Sequence, residues 1–166
     1  MVNLSPNHLR PITAKDLGAI SVIEQEAYQY PWPLEVFQGC LRVGYCSWLL
    51  EQDARIDAYG ILSVAVQEAH LLNLCVRREV QGNGLGARML AHLLQVARSH
   101  DAEQMFLEVR RSNVRALKLY QASGFAQIGV RKAYYPAEEG REDAMVLRCS
   151  LLKQERWSYS PLNLDG

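Results

Sequence analysis

The feature that most constrains the fold is a glycine-rich turn over residues 81–86, with the sequence QGNGLG, between a short apolar segment and a long amphipathic one. Glycines let the backbone turn tightly and approach a ligand with no Cβ in the way. The free N–H groups at the start of the following helix, together with the helix dipole, then face an anion. The turn therefore predicts a strand, a site suited to a pyrophosphate, and a helix in that order.

Hydrophobic periodicity predicts the elements on either side of this turn. Apolar residues recur at helical spacing in four segments and alternate or run together at strand spacing in seven. We expect helices over residues 17–27, 34–43, 84–100 and 113–122. We expect strands over 9–12, 46–50, 56–66, 71–76, 105–109, 126–134 and 144–151. Consecutive strands followed by alternating strands and helices indicate an α/β (α+β) fold, with a mixed sheet and helices on both faces.

Composition excludes several classes of protein. The 18 basic and 18 acidic side chains cancel, which argues against nucleic-acid or membrane partners. The four cysteines form no C-x-x-C pair, so we interpret them as buried free thiols of a cytoplasmic protein and expect no metal. The first residues lack the pattern of a secretory signal. We expect a single domain over residues 1–152 and a polar tail over 153–166.

The glycine turn alone leaves three interpretations open. Gly82-x-Gly84-x-x-Ala87 also fits a dinucleotide fingerprint, with Glu108 near the place of a ribose-binding acid. Against that, residues 77–81 separate the strand from the glycines, and too few residues follow Glu108 for a second nucleotide-binding half. The third interpretation is a turn that binds no ligand.

Two side chains are candidates for acid–base chemistry. Glu108 lies in an apolar strand, where an unpaired carboxylate is costly, so it either borders a crevice or pairs with Arg110 or Arg111. Tyr120 lies seven residues after Asn113, which places both on one face of a helix. A plain core aromatic is the alternative for Tyr120.

Several motifs resemble one known family. One motif is similar to the signature of the GNAT N-acetyltransferases. It consists of Val76, four further residues and then Gln81-x-x-Gly84-x-Gly86. Residues 109–125, VRRSNVRALKLYQASGF, resemble the ribosomal-protein alanine N-acetyltransferase branch, RimI. So do residues 132–143 and the Tyr30-Pro31-Trp32 segment. The resemblance covers most of residues 9–151, although Pro33 stands where a helix-capping serine is expected.

This resemblance implies a fold, a cofactor and a binding mode. It implies a GNAT-like mixed, mostly antiparallel sheet of about seven strands with helices on both faces. It implies acetyl-CoA as co-substrate, with its phosphates on main-chain amides of the turn and its pantetheine arm along the preceding strand. The implied cofactor-binding residues are Leu74, Cys75, Val76, Gln81, Gly82, Asn83, Gly84, Leu85, Gly86, Ala87, Asn113 and Tyr120.

The resemblance also implies a direct transfer to an amine. Glu108 would be the general base, directly or through water, and Tyr120 the general acid. A covalent role for Cys75 is disfavoured because no nearby base is evident. The implied acceptor-binding residues are Trp32, Glu35, Tyr134 and Tyr135, with loop packing as the alternative for Trp32 and one tyrosine.

The implied acceptor is a peptide or protein N-terminus, namely the alanine N-terminus of a small-subunit ribosomal protein. Two rival functions stay open at this point. One is transfer to lysine side chains or to a small amine. The other is a non-catalytic module that binds acyl-CoA.

Overall fold

The structure is a computed structural model that describes residues 6–152. The predicted tail over residues 153–166 lies outside the described residues. The elements follow the predicted order of strands and helices. The helices are α1 (Leu17–Ala27), α2 (Leu34–Arg42), α3 (Leu85–Ser99) and α4 (Val114–Ala122). The strands are β1 (His8–Pro11), β2 (Cys46–Gln52), β3 (Arg55–Ala65), β4 (Glu68–Val76), β5 (Gln104–Arg110), β6 (Ala126–Pro136) and β7 (Arg141–Ser150).

The seven strands form one sheet in the order β1-β2-β3-β4-β5-β7-β6. Neighbouring strands are antiparallel except β4 and β5, which are parallel. The parallel pair arises because α3 connects β4 to β5, and a parallel pair needs such a crossover. The predicted fold class, a mixed and mostly antiparallel sheet, is confirmed.

Local sequence explains where the helices begin and end. The Thr13 backbone N–H donates to the Asp16 carboxylate at 2.8 Å just before α1. The Asn113 side chain accepts a hydrogen bond from the Ala116 N–H and so caps α4. After α4 the chain turns at Gly124, whose φ of +98° lies in the left-handed region that favours glycine at the end of a helix.

Helices cover both faces of the sheet. On one face, α3 contributes buried Met89, Leu90 and Leu93 to a core that also contains Leu107 and Tyr120. On the other face, α1 and α2 pack on a second core. It contains Ile20, Ile23, Phe37, Leu49, Tyr59 and Cys75.

The middle of the sheet is split. The β4–β5 pairing covers only Glu68–His70 against Gln104–Phe106. An irregularity in the β3–β4 pairing, between Ile61 and Leu62, changes which β4 residues face each side. Leu71 points into the core under α3, whereas Cys75 points into the core under α1. The strands then separate, and this opening positions the site.

No helix within residues 6–152 is long and apolar enough to cross a membrane.

Candidate active site

Two adjoining cavities lie in the split between β4 and β5. The first has a volume of 530 Å³ and reaches the glycine turn and α3. The second has a volume of 310 Å³ and is bordered by the α1–α2 loop and β5. They share the lining residues Tyr28, Leu74, Arg110, Asn113, Ala116 and Tyr120. Two ligands bound in these cavities would therefore meet beside Tyr120.

The glycine turn has the backbone of an anion site. Gly82 and Gly84 have φ angles of +82° and +79°, a region that favours glycine. Gly84 is also the N-cap of α3, and among residues 6–152 no side chain at this position caps the first N–H groups of that helix. A Cβ on Gly86 would lie 3.3 Å from a Leu119 methyl carbon. Free amides at a helix N-terminus fit a CoA pyrophosphate.

Nearly all the predicted cofactor residues line the first cavity. Cys75 and Asn83 do not. The Asn83 side chain donates to the Val80 carbonyl oxygen at 2.9 Å. The Cys75 side chain is buried, and this burial raises the pKa of its thiol to about 12. Arg115, which lines the same cavity, donates to the Gln81 side chain at 2.8 Å and adds positive charge beside the turn.

Two carbonyl oxygens of β4 in this opening accept hydrogen bonds from side chains. The Tyr28 hydroxyl donates to the Leu74 carbonyl oxygen at 2.6 Å, and the Gln81 amide donates to that of Val76 at 3.0 Å. Burial raises the pKa of Tyr28, so its phenol stays a donor. Tyr28 was not among the predicted site residues. Its only sequence signal is an aromatic residue with a polar tip at the end of the α1 stripe.

Glu108 both borders a cavity and is paired. It lines the second cavity. One carboxylate oxygen lies 2.5 Å from His70 Nε2, and the other lies 3.3 Å from Arg131 Nε. The predicted alternative of a partner in Arg110 or Arg111 is wrong, because strand alternation and the β6–β7 hairpin give both arginines other partners. Arg110 pairs with Glu142 at 2.9 Å, and Arg111 with Asp143 at 3.8 Å.

Tyr120 is a buried aromatic that also lines both cavities. Its ring meets that of Phe125 edge-on at 5.6 Å. Burial raises the pKa of its phenol, so the hydroxyl stays protonated over the neutral range. The hydroxyl has no hydrogen-bond partner among residues 6–152. Tyr120 is therefore both a core aromatic and a part of the cavity lining.

The predicted acceptor residues are only partly brought together. Trp32 and Tyr135 line the second cavity, and burial raises the pKa of Tyr135 to about 12. Tyr134 is 45% exposed and contacts Tyr135 ring to ring at 4.9 Å. Glu35 is exposed in the first turn of α2, outside the lining of this cavity.

An arginine joins the two walls of the second cavity. The Arg110 guanidinium lies 4.9 Å from the Tyr30 ring and 4.5 Å from the Tyr135 ring. It also donates to the Pro136 carbonyl oxygen at 2.7 Å. These cation–π contacts connect the α1–α2 loop to the β6–β7 hairpin. From the sequence, Arg110 was predicted only as a partner for Glu108.

The buried carboxylate of Glu24 belongs to the lining of the second cavity. Glu24 accepts hydrogen bonds from the Tyr59 hydroxyl at 2.5 Å, the Trp32 N–H at 3.2 Å and the Asn73 amide at 3.3 Å. Burial raises the pKa of Glu24, against the opposing effect of these donors. Its sequence signal was a charged residue that interrupts the apolar stripe of α1.

Within residues 6–152, no group of three or more histidine, cysteine, aspartate or glutamate side chains is placed to hold a metal ion.

Comparisons with known proteins agree with this geometry. The model of the acetyltransferase (GNAT) family matches residues 14–125. The [ribosomal protein bS18]-alanine N-acetyltransferase of Escherichia coli K12 is 35% identical over 141 residues, which are 85% of this chain and 95% of that protein. The crystal structure of the ribosomal-protein-S18-alanine N-acetyltransferase from Escherichia coli superposes with a TM-score of 0.84. It is 32% identical and covers 93% of this chain and 100% of its own.

A more distant structure shares the fold. The structure of yncA from Salmonella typhimurium with its cofactor acetyl-CoA has a TM-score of 0.76 at 17% identity, covering 90% of this chain and 96% of its own. The split sheet, the helix N-terminus at the glycine turn and the paired cavities fit the family match, which identifies an acetyltransferase that uses acetyl-CoA. Given the match of the family model over residues 14–125, the chain belongs to the GNAT acetyltransferase family.

Proposed function

We propose that this enzyme acetylates the α-amino group at the N-terminus of a protein, and that the acceptor is the alanine N-terminus of a small-subunit ribosomal protein. The observation that carries the proposal is the junction of the two cavities at Tyr120, with Glu108 in the lining of the second. The name of the Escherichia coli relative, 35% identical, supports the choice of acceptor. Because the proposed acceptor is a ribosomal protein, we propose that the enzyme acts in the cytoplasm.

The first cavity is the proposed site of acetyl-CoA. The amides of residues 82–87 bind its pyrophosphate, and the backbone of β4 from Leu74 to Val76 lies beside its pantetheine arm. Asn113, which caps α4 and lines both cavities, contacts the arm near its end. Bound there, the thioester supplies an activated acetyl group.

Glu108 is the proposed base for the acceptor. An α-ammonium group has a pKa of about 7.7–8.0, so much of it is protonated near neutral pH and must lose a proton before it attacks. Glu108 takes that proton at its carboxylate, directly or through one water. Its place in the second cavity supports this role, because the amine enters on that side.

Tyr120 is the proposed acid. Its phenol is kept protonated by burial and belongs to the lining of both cavities. It donates its proton toward the sulfur that leaves with CoA. Trp32 and Tyr135 form the walls around the acceptor's first residue, with Tyr134 behind Tyr135. Glu35 stays a prediction as an acceptor contact from the outer surface of α2.

Initial rates with a peptide panel test the proposed acceptor. We expect acetyl transfer to a peptide that copies the alanine N-terminus of the ribosomal protein. The matched control is the same peptide with a blocked N-terminus and a free lysine. Equal rates on the blocked peptide, or activity on a small amine alone, would overturn the proposal in favour of a lysine or small-amine acetyltransferase.

A binding module without catalysis is distinguished by turnover. Such a module would bind acetyl-CoA, and this binding would raise the melting temperature of the protein. It would transfer no acetyl group to any peptide. Binding alone requires neither a carboxylate nor a protonated phenol in the cavity lining, and their presence there supports catalysis.

A further inference from the structure

His70 and Glu108 meet at the last rung of the parallel β4–β5 pairing. His70 is paired in register with Phe106, two residues before Glu108. Leu71 and Leu107 both point into the core under α3, so His70 and Glu108 point to the opposite face. The 2.5 Å contact between them therefore follows from strand register at the point where the sheet begins to split.

His70 is more exposed to solvent than the carboxylate that it contacts. Its side chain is 40% exposed, whereas that of Glu108 is 12% exposed. Glu108 Oε1 is occupied by Arg131, whose side chain is 57% exposed. Within the described part of the chain, these are the two groups bonded to the Glu108 side chain.

Only one of these two partners can accept a proton. A guanidinium stays charged and has no acceptor atom. A neutral imidazole accepts at one ring nitrogen and exchanges protons with water near neutral pH. A proton on Glu108 can therefore leave outward through His70, whereas Arg131 only holds the other oxygen.

We propose that His70 is the proton-relay residue that returns Glu108 to its ionised form, a role that rests on Glu108 as the base of the proposed function. Glu108 takes one proton from the acceptor's ammonium group and becomes a carboxylic acid. It passes that proton to His70 Nε2, which leaves Glu108 as a carboxylate and His70 as an imidazolium. The imidazolium then releases its Nδ1 proton to water. The neutral ring exchanges its remaining Nε2 proton for one on Nδ1 through water, which restores the starting tautomer, so no net change remains on either side chain.

The test is the His70→Gln variant, assayed at low buffer concentration with acetyl-CoA and the alanine peptide. Glutamine can still donate a hydrogen bond to Glu108, but it cannot take up a proton near neutral pH. We expect kcat to fall by about tenfold or more, with KM for acetyl-CoA unchanged. Added imidazole should restore much of the lost rate.

His100→Gln is the matched control. His100 ends α3, bonds to the Val96 carbonyl oxygen and lies outside both cavities. We expect this variant to keep the wild-type rate and to show no response to imidazole.

Two results would overturn the relay. One is an unchanged kcat in His70→Gln, and the other is a reduced kcat that imidazole does not restore, since the latter indicates a purely structural hydrogen bond. Glu108→Gln, measured in parallel, separates the two proposals. If it retains the wild-type rate, the base assignment fails. If it is inactive while His70→Gln is normal, only the relay fails.

Discussion

Tyr120 and Glu108 differ in the cavities they border. Tyr120 lines both, whereas Glu108 lines only the second. An acid for the leaving sulfur must reach the point where the substrates meet, and a base for the amine must lie on the acceptor side. Each side chain therefore stands where its proposed role needs it.

Removing either group should slow transfer without loosening the cofactor. For Glu108→Gln and Tyr120→Phe we expect kcat to fall by about 10²–10⁴-fold, the usual contribution of a positioned acid or base. The affinity for CoA should stay near the wild-type value. Steady-state kinetics and calorimetric titration with CoA check both statements, and unchanged rates in both variants would refute the roles.

A single backbone angle at the turn is also testable. The φ of +79° at Gly84 strains any residue with a Cβ, although a Cβ there would touch nothing within 4 Å. We expect Gly84→Ala to lower the free energy of unfolding by about 1–2 kcal/mol, the cost of a left-handed residue. Chemical denaturation measures this value.

Gly39 supplies a control of opposite sign. It lies inside α2 and a Cβ there also meets nothing within 4 Å, but its backbone is helical. Gly39→Ala should therefore stabilise the protein by roughly 0.5–1 kcal/mol. If both alanine variants shifted stability in the same direction, backbone conformation would not be the cause.

At the scale of elements, Glu24 holds four segments together. Its carboxylate on α1 accepts from Trp32 in the α1–α2 loop, Tyr59 on β3 and Asn73 on β4. Glu24→Ala would leave the donors of Trp32 and Tyr59 without this acceptor. We expect a loss of about 2–4 kcal/mol of stability and a higher KM for the peptide, because the loop borders the second cavity.

The same carboxylate makes stability depend on pH. Because burial raises the folded-state pKa of Glu24 above its unfolded value, its contribution is fully present below the unfolded pKa. That contribution is lost as the pH rises through the folded pKa. Glu24→Gln cannot titrate, so its stability relative to wild type should improve between pH 4.5 and pH 7. Urea unfolding at the two pH values checks the sign, and a relative loss would contradict it.

The order of elements could be predicted because each one carries a local signal. The apolar stripe of α3 and the glycine turn before it can be read within a few residues of sequence. The partners of Glu108 could not be predicted, since His70 and Arg131 reach it only through strand pairing. His70 is brought near by the β4–β5 register, and Arg131 by the β5-β7-β6 order of strands. The neighbours in sequence, Arg110 and Arg111, pair with other carboxylates.

At the scale of the whole molecule, the split sheet lets two substrates bind at once. β4 and β5 pair for three residues and then separate, and residues on both sides of the gap line the two adjoining cavities. Because the cavities share a wall at Tyr120, an acetyl group can pass directly from one substrate to the other, with no covalent acetyl-enzyme intermediate. This geometry predicts a ternary complex with direct transfer.

Cys75 is the nearest test of that prediction, because a covalent route would need a reactive thiol beside the thioester. Its side chain is buried outside the lining of both cavities, and burial raises the pKa of the thiol to about 12, which keeps it protonated. We expect Cys75→Ala to retain kcat within about twofold, because truncation removes packing but no reacting group. Double-reciprocal plots against both substrates should intersect. Intact-mass spectrometry of wild-type enzyme incubated with acetyl-CoA alone should show no added acetyl group. Parallel plots together with an acetylated Cys75 would instead indicate a two-step transfer through an acetyl-enzyme, and would contradict direct transfer.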